Sequence, residues 1–124
     1  WLAFLLALGI TVVGTSLFEL PYSQGSGPAT IVRVTGGQFY WSASPASVPA
    51  GTRVRFDVTA ADVNHGLGLY DPDGHLIGSV QAMPGFHNHL DVKLTEPGSY
   101  ILSCLEYCGL GHHRMARPFR VVER

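Results

Sequence analysis

Arg53-Val54-Arg55-Phe56-Asp57-Val58 alternates charged and apolar side chains with a period of two. Successive strand side chains point to opposite faces, so this stretch predicts a half-buried β-strand with Val54, Phe56 and Val58 on the core side. On either side of it, short apolar or alternating runs occupy residues 31–34, 39–42, 67–70, 76–82, 86–94, 99–105 and 118–122. Turn chemistry separates them: Pro49-Ala50-Gly51, Asp71-Pro72-Asp73-Gly74, Pro84-Gly85 and Glu96-Pro97-Gly98. Seven or eight short strands at this spacing predict an all-β sandwich or barrel. The 15 glycines and 8 prolines agree with a turn-rich β-domain rather than a helical bundle.

Composition excludes several classes of function. Eight basic residues stand against nine acidic ones, a net charge of −1 with no concentration of basic charge, so a nucleic-acid module is not expected. Hydrophobic residues make up 46% of the chain, which argues against disorder. Two cysteines are too few for a disulfide-dense scaffold.

Charged residues are only 14% of the chain, and none lies in residues 1–18, WLAFLLALGITVVGTSLF. As a helix at about 1.5 Å per residue this run would span roughly 27 Å, close to the hydrocarbon thickness of about 30 Å. It lacks the basic start and clean small-residue cleavage site of a signal peptide. The expected organisation is therefore a transmembrane anchor over 1–20, a linker over 21–29 containing PYSQGSGP, and one domain over 30–124. Residues 20–30 hold no Lys or Arg, which suits the non-cytoplasmic side. The chain opens on Trp1 rather than Met, so further residues are expected before it.

Residues 103–115, SCLEYCGLGHHRM, carry the chemistry. Cys104, Cys108, His112 and Met115 follow a C-x3-C-x3-H-x2-M spacing: two thiolates, an imidazole and a thioether, a soft set that selects copper and, less well, zinc. Gly109 and Gly111 let the segment curl, and its place between two strands makes it a loop at one end of the sandwich. A blue-copper centre needs one Cys, two His and a weak axial Met, and His65 of Asp62-Val63-Asn64-His65 is the candidate second histidine. Two cysteines instead of one would also let the sulfurs bridge two metals, each taking one His, with Met115 axial to one and a backbone carbonyl to the other. A Cys104–Cys108 disulfide would need neither His112 nor Met115, and structural zinc has no use for Met. His75, His87, His89 and His113 read as surface or loop residues, with His87 and His89 on one strand face able to hold an adventitious metal.

Cys104-Leu105-Glu106-Tyr107-Cys108-Gly109-Leu110-Gly111-His112-His113-Arg114-Met115 resembles the CuA motif of subunit II of the haem–copper oxidases, the cytochrome c oxidase subunit II family. Asp62-Val63-Asn64-His65 resembles that family's D-V-x-H. Gln38-Phe39-Tyr40-Trp41-Ser42 resembles its aromatic Q-W-Y-W-S segment, and Ser79 to Gly85 resembles the loop before its next strand. The resemblance covers essentially the whole domain and implies a cupredoxin, a Greek-key β-sandwich, preceded by a membrane helix. It implies that Cys104 and Cys108 bridge two coppers, that His65 and His112 each ligate one, that Met115 is the weak axial ligand, and that the Glu106 carbonyl serves the other copper. In many members the Glu106-equivalent carboxylate reaches a magnesium ion at the contact with subunit I. The family's segment begins its aromatics with Trp, where electrons arrive from cytochrome c; here Phe39 stands there, with Tyr40 and Trp41 beside it. Asp62 is a candidate to orient the His65 loop, or to cap its turn. Many members carry two helices before the domain, and one is visible here, as in the single-helix branch.

The function this implies is electron transfer in a membrane terminal oxidase: electrons pass from a cytochrome c through the binuclear copper to haem in subunit I. The complex reduces oxygen; this chain alone does not. The alternative is the CuA subunit of a nitric oxide reductase-type complex. A nitrous oxide reductase is disfavoured by the short chain and the anchor, and a copper-delivery protein by the presence of only 2 Met. Acidic residues are few, so donor docking is expected to be largely apolar.

Overall fold

The computed structural model describes residues 1–18 and 27–124. Among them are one helix, α1 (Leu2–Phe18), and nine strands: β1 (Thr30–Gly37), β2 (Tyr40–Ser44), β3 (Ser47–Pro49), β4 (Thr52–Ala60), β5 (His65–Tyr70), β6 (Leu76–Ala82), β7 (Asn88–Leu94), β8 (Gly98–Cys104) and β9 (Ala116–Val122). They form two sheets, ordered β2-β1-β4-β7 and β3-β9-β8-β5-β6. The β1–β4 and β3–β9 pairs are parallel and the other pairs antiparallel. The chain changes sheet between β2 and β3, β3 and β4, β4 and β5, β6 and β7, and β7 and β8, which closes the sandwich.

The alternation at residues 53–58 is realised in β4. Val54, Phe56 and Val58 are buried, whereas Arg53, Arg55 and Asp57 stay partly exposed along the outer face. On that face Arg55 forms a bidentate pair with Asp91 of β7, at 2.8 and 3.0 Å. Across the core, Phe56 meets Phe119 of β9 edge-to-face, ring centroids 5.4 Å apart. Val32, Val34, Leu67, Leu69, Leu102 and Val121 complete the layer between the sheets. Apolar burial of this kind contributes roughly 1.5–3 kcal/mol per large side chain, and it fixes the frame on which the loops sit.

β5 departs from alternation, because all of His65 to Leu69 is buried. Leu105 lies across its outer face: a Cβ on Gly68 would come within 2.7 Å of the Leu105 side chain, so glycine here permits a close approach. The expected strand at 39–42 begins one residue later. β1 and β2 form a hairpin pairing Gly37 with Tyr40, which leaves Gln38 and Phe39 as its turn. Phe39 therefore does not share the inward face of Trp41.

α1 is 17 residues long, about 26 Å at about 1.5 Å each. Among the described residues no helix is long and apolar enough to cross a membrane; residues 19 and 20 of the expected span at 1–20 lie outside the described residues. Its large apolar side chains through Leu17 are uncovered. Its threonine hydroxyls donate back to the helix, Thr11 to the Ala7 carbonyl at 2.8 Å and Thr15 to that of Thr11 at 3.0 Å. The expected linker at 21–29 falls largely outside the described residues.

Candidate metal centre

Two loops meet at one end of the sandwich. β8 ends in Cys104, and the following loop returns to β9 through Met115. The Cys104 N–H donates to the Met115 carbonyl at 3.0 Å, closing the loop at its base. A 3-10 turn at His112–Arg114 is held by the His112 N–H on the Gly109 carbonyl and the Met115 N–H on the His112 carbonyl, both 3.0 Å. That turn brings an imidazole and a thioether, three residues apart, back over Cys108. His65 arrives from the other loop as the first residue of β5.

All six ligating groups expected from sequence converge. Cys104 Sγ and Cys108 Sγ are 3.9 Å apart, far beyond the roughly 2.05 Å of a disulfide, and both cysteines are free. His65 Nδ1 lies 3.8 Å from Cys104 Sγ, and His112 Nδ1 lies 3.8 Å from Cys108 Sγ. Met115 Sδ is 3.7 Å from Cys108 Sγ, and the Glu106 carbonyl is 3.2 Å from Cys104 Sγ. His65, Cys104, Cys108 and Met115 are all buried, His65 completely. His65, Cys104 and Cys108 present ligand atoms all within 4.8 Å of one another.

The donor set fits a soft metal. A thiolate–metal bond is about 2.3 Å, so a cation sits comfortably between sulfurs at this separation. Burial, then the neighbouring Cys104, pushes the Cys108 thiol up to about 11. Two adjacent buried thiolates need a cation to be stable, and metal binding supplies it by displacing their protons.

Asp62 is hydrogen-bonded to the His65 ring. Its Oδ1 accepts from His65 Nε2 at 2.8 Å and from the Val63 N–H at 2.6 Å, so it caps its own turn and orients the ring. With Nε2 donating, the Nδ1 lone pair faces Cys104. Burial opposes ionisation of Asp62, but hydrogen bonds from His65 and from the Gln38 and Val63 N–H groups outweigh it and hold the carboxyl down at about 2.

The three aromatic candidates separate. The Phe39 ring lies on the metal loop, where a Cβ at Gly111 would come 2.4 Å from it, and it is 39% exposed. Tyr40 is exposed. Trp41 is buried and meets the His65 ring edge-on, centroids 5.9 Å apart. Glu106 turns its carbonyl inward while its side chain stays exposed beside a cleft of about 360 Å³ lined also by Gly66, Gln81 and Leu105. His75, His87, His89 and His113 lie outside the centre; His87 and His89 approach the Asp57 carboxylate at 2.9 and 3.7 Å.

Two contributors were not legible as site residues. Arg117 donates to the Trp41 carbonyl at 2.9 Å, tying β9 to β2 just after Met115. Gln38 donates its backbone N–H to Asp62 Oδ2 at 2.7 Å and its side-chain amide to the Cys108 carbonyl. The only available sign of Gln38 was its place at the head of the aromatic segment.

Known proteins are similar to this chain in sequence and fold. A family profile described as "Cytochrome C oxidase subunit II, periplasmic domain" matches residues 43–122. Cytochrome c oxidase subunit 2 of Thermus thermophilus is 34% identical over 95 residues, covering 74% of this chain and 65% of the relative. That of Alkalihalophilus pseudofirmus is 29% identical over 92% of this chain and 36% of its own length. The chain thus spans about a third to two thirds of the length of these curated relatives. The crystal structure of the periplasmic domain of subunit II of cytochrome oxidase from Bradyrhizobium japonicum superposes with a TM-score of 0.68 at 28% identity, covering 80% of this chain and 88% of that one. The two-sheet fold is cupredoxin-like, as the auracyanin of Roseiflexus castenholzii also shows at a TM-score of 0.53 and 16% identity. A profile match across most of the sandwich, reaching through both cysteines, His112 and Met115, means that the chain belongs to the cytochrome c oxidase subunit II family.

Proposed function

We propose that this chain is the electron-transfer subunit of a membrane terminal oxidase, and that its metal centre is a binuclear copper site of the CuA type. One observation carries the reading: the histidines flank the sulfur pair from opposite ends. His65 stands against Cys104, and His112 against Cys108, each at 3.8 Å. A single tetrahedral ion would draw both rings to one point; this disposition suits two ions sharing the sulfurs. The bound pair would supply one-electron redox chemistry, with the change in charge spread over both metals and both sulfurs. The chain's own residues do the rest. Cys104, Cys108, His65, His112, Met115 and the Glu106 carbonyl would hold the two ions, the thiolates between the histidines and the weaker donors at the ends. The sandwich would hold these groups in one geometry in both redox states, and burial of His65, Cys104, Cys108 and Met115 keeps water from them, which lowers the reorganisation that electron transfer requires.

The rest of the reading follows from this one. Electrons arrive from a cytochrome c-type donor across Phe39 and Tyr40 at the rim, with Trp41 packed behind them against His65, and leave toward haem in subunit I. The Glu106 carboxylate is free to meet a magnesium ion at that contact. The uncharged apolar run that begins with α1 anchors the chain at the membrane, with the copper domain on the outer, periplasmic side; the α1 hydroxyls already bond to backbone carbonyls, as a lipid surrounding demands. The relatives named above are oxidase subunits, and the nitric oxide reductase alternative is not favoured. The test is rapid mixing of the copper-loaded full chain with a reduced c-type cytochrome. The reading predicts oxidation of one cytochrome per chain; a copper-loaded chain that takes up no electron contradicts it.

A further inference from the structure

The centre is built from two loops far apart in sequence, and one side chain spans them. Gln38 occupies the β1–β2 turn. Its backbone N–H donates to Asp62 Oδ2 at 2.7 Å, and the other oxygen of that carboxylate holds His65 Nε2 at 2.8 Å. Its side-chain amide donates to the carbonyl of Cys108, a residue 70 positions away. That carbonyl opens the peptide to Gly109, whose φ of +133° lets the loop turn beside the amide. A Cβ at Gly109 would lie 3.0 Å from Gln38 Nε2, so the Gln38 amide packs closely on the Gly109 backbone.

We propose that Gln38 is a positioning residue of the metal centre, fixing Cys108 through its side chain while its backbone fixes His65 through Asp62. This rests on the copper reading of the site. Cys108 is the sulfur facing both His112 and Met115, at 3.8 and 3.7 Å. Rotation of the Cys108 peptide would therefore change the overlap of that sulfur with the metals, and not merely the stability of a turn. Outer hydrogen bonds of this kind commonly change metal affinity by about 10–100-fold.

Side-chain substitution leaves the N–H to Asp62 intact and so isolates the amide. Gln38→Ala removes the donor, and Gln38→Glu sets a carboxylate oxygen against the Cys108 carbonyl at nearly the same volume. Both full-length variants are expected to fold and take up two coppers. Each should shift the copper hyperfine spacing and the sulfur-to-copper absorption, more for Glu than for Ala, and release copper to a chelator about 10–100-fold faster. Unchanged spectra and release rates in both variants would overturn the proposal, as would loss of the fold in both, which would make Gln38 a folding residue. A wild-type chain without a paired-copper signature would instead fail the reading on which the proposal rests.

Discussion

Replacing Gly111 with Ala tests whether the Phe39 ring belongs to the working surface of the centre. The added Cβ would lie 2.4 Å from Phe39 Cδ2 and 2.6 Å from Cγ. Carbon atoms in contact sit about 3.5–4.0 Å apart, so the ring must withdraw by about 1 Å or more. Gly111 has φ −89°, a value any residue adopts, so the backbone is not strained. The ring is 39% exposed and has room to swing outward, which places the cost at the low end of the usual 1–3 kcal/mol for overpacking, about 1 kcal/mol. For a domain of this size that lowers Tm by roughly 4–8 °C. Gly109→Ala is the internal comparison: its φ of +133° adds backbone strain of about 1–3 kcal/mol to a similar clash, so it must be the worse of the two. The assay pairs thermal melts with electron uptake from a reduced cytochrome at full copper loading. Gly111→Ala should keep its copper and slow uptake, because the ring no longer covers the loop. An unaltered uptake rate with the melting shift present would refute Phe39 as the point of electron arrival; a Gly111→Ala variant less stable than Gly109→Ala would refute the packing argument.

The remaining predictions concern the frame and its charges. Phe56→Ala removes a fully buried ring packed edge-to-face against Phe119 and should cost about 3–5 kcal/mol in a denaturant titration. The Asp91 carboxyl is held below its usual value chiefly by the hydrogen bond from Arg55. Its contribution to stability is therefore present above the unfolded carboxyl value of about 3.9 and lost as pH falls through the lower folded value, so Asp91→Asn should flatten the acid limb of the stability–pH curve. Exposed Phe39, Tyr107 and Leu110 rim the metal loop, so uptake rates from a c-type cytochrome should fall only weakly between low and high salt; a steep decline would point to charge-steered docking instead.

The strands written as clear alternation, β4 above all, were readable because one face is core and the other is solvent. β3 was not: three residues paired in parallel with β9 carry no period, and their partner lies more than 70 positions away. The displacement of Phe39 from strand to turn depends on the hairpin register, which the local pattern of aromatics does not contain. The candidate ligands could be grouped for a related reason. Cys104, Cys108, His112 and Met115 share one loop, where spacing is chemistry. His65 lies far from that loop and was readable only as a candidate second histidine after the 53–59 strand, to which its D-V-x-H segment added a resemblance, and the bond from Gln38 to the Cys108 carbonyl runs through space and leaves no spacing to read. The uncharged run at the start is legible as a helix, and 17 residues of it, Leu2–Phe18, are helical among the described residues.

The central claim is that the two cysteines join two coppers into one redox unit. The measurement that meets it most directly is copper per chain together with the EPR spectrum of the copper-loaded full chain. The account predicts two coppers and one unpaired electron shared between them, seen as more hyperfine lines than a single copper nucleus can produce. One copper per chain with a single-nucleus pattern would contradict it.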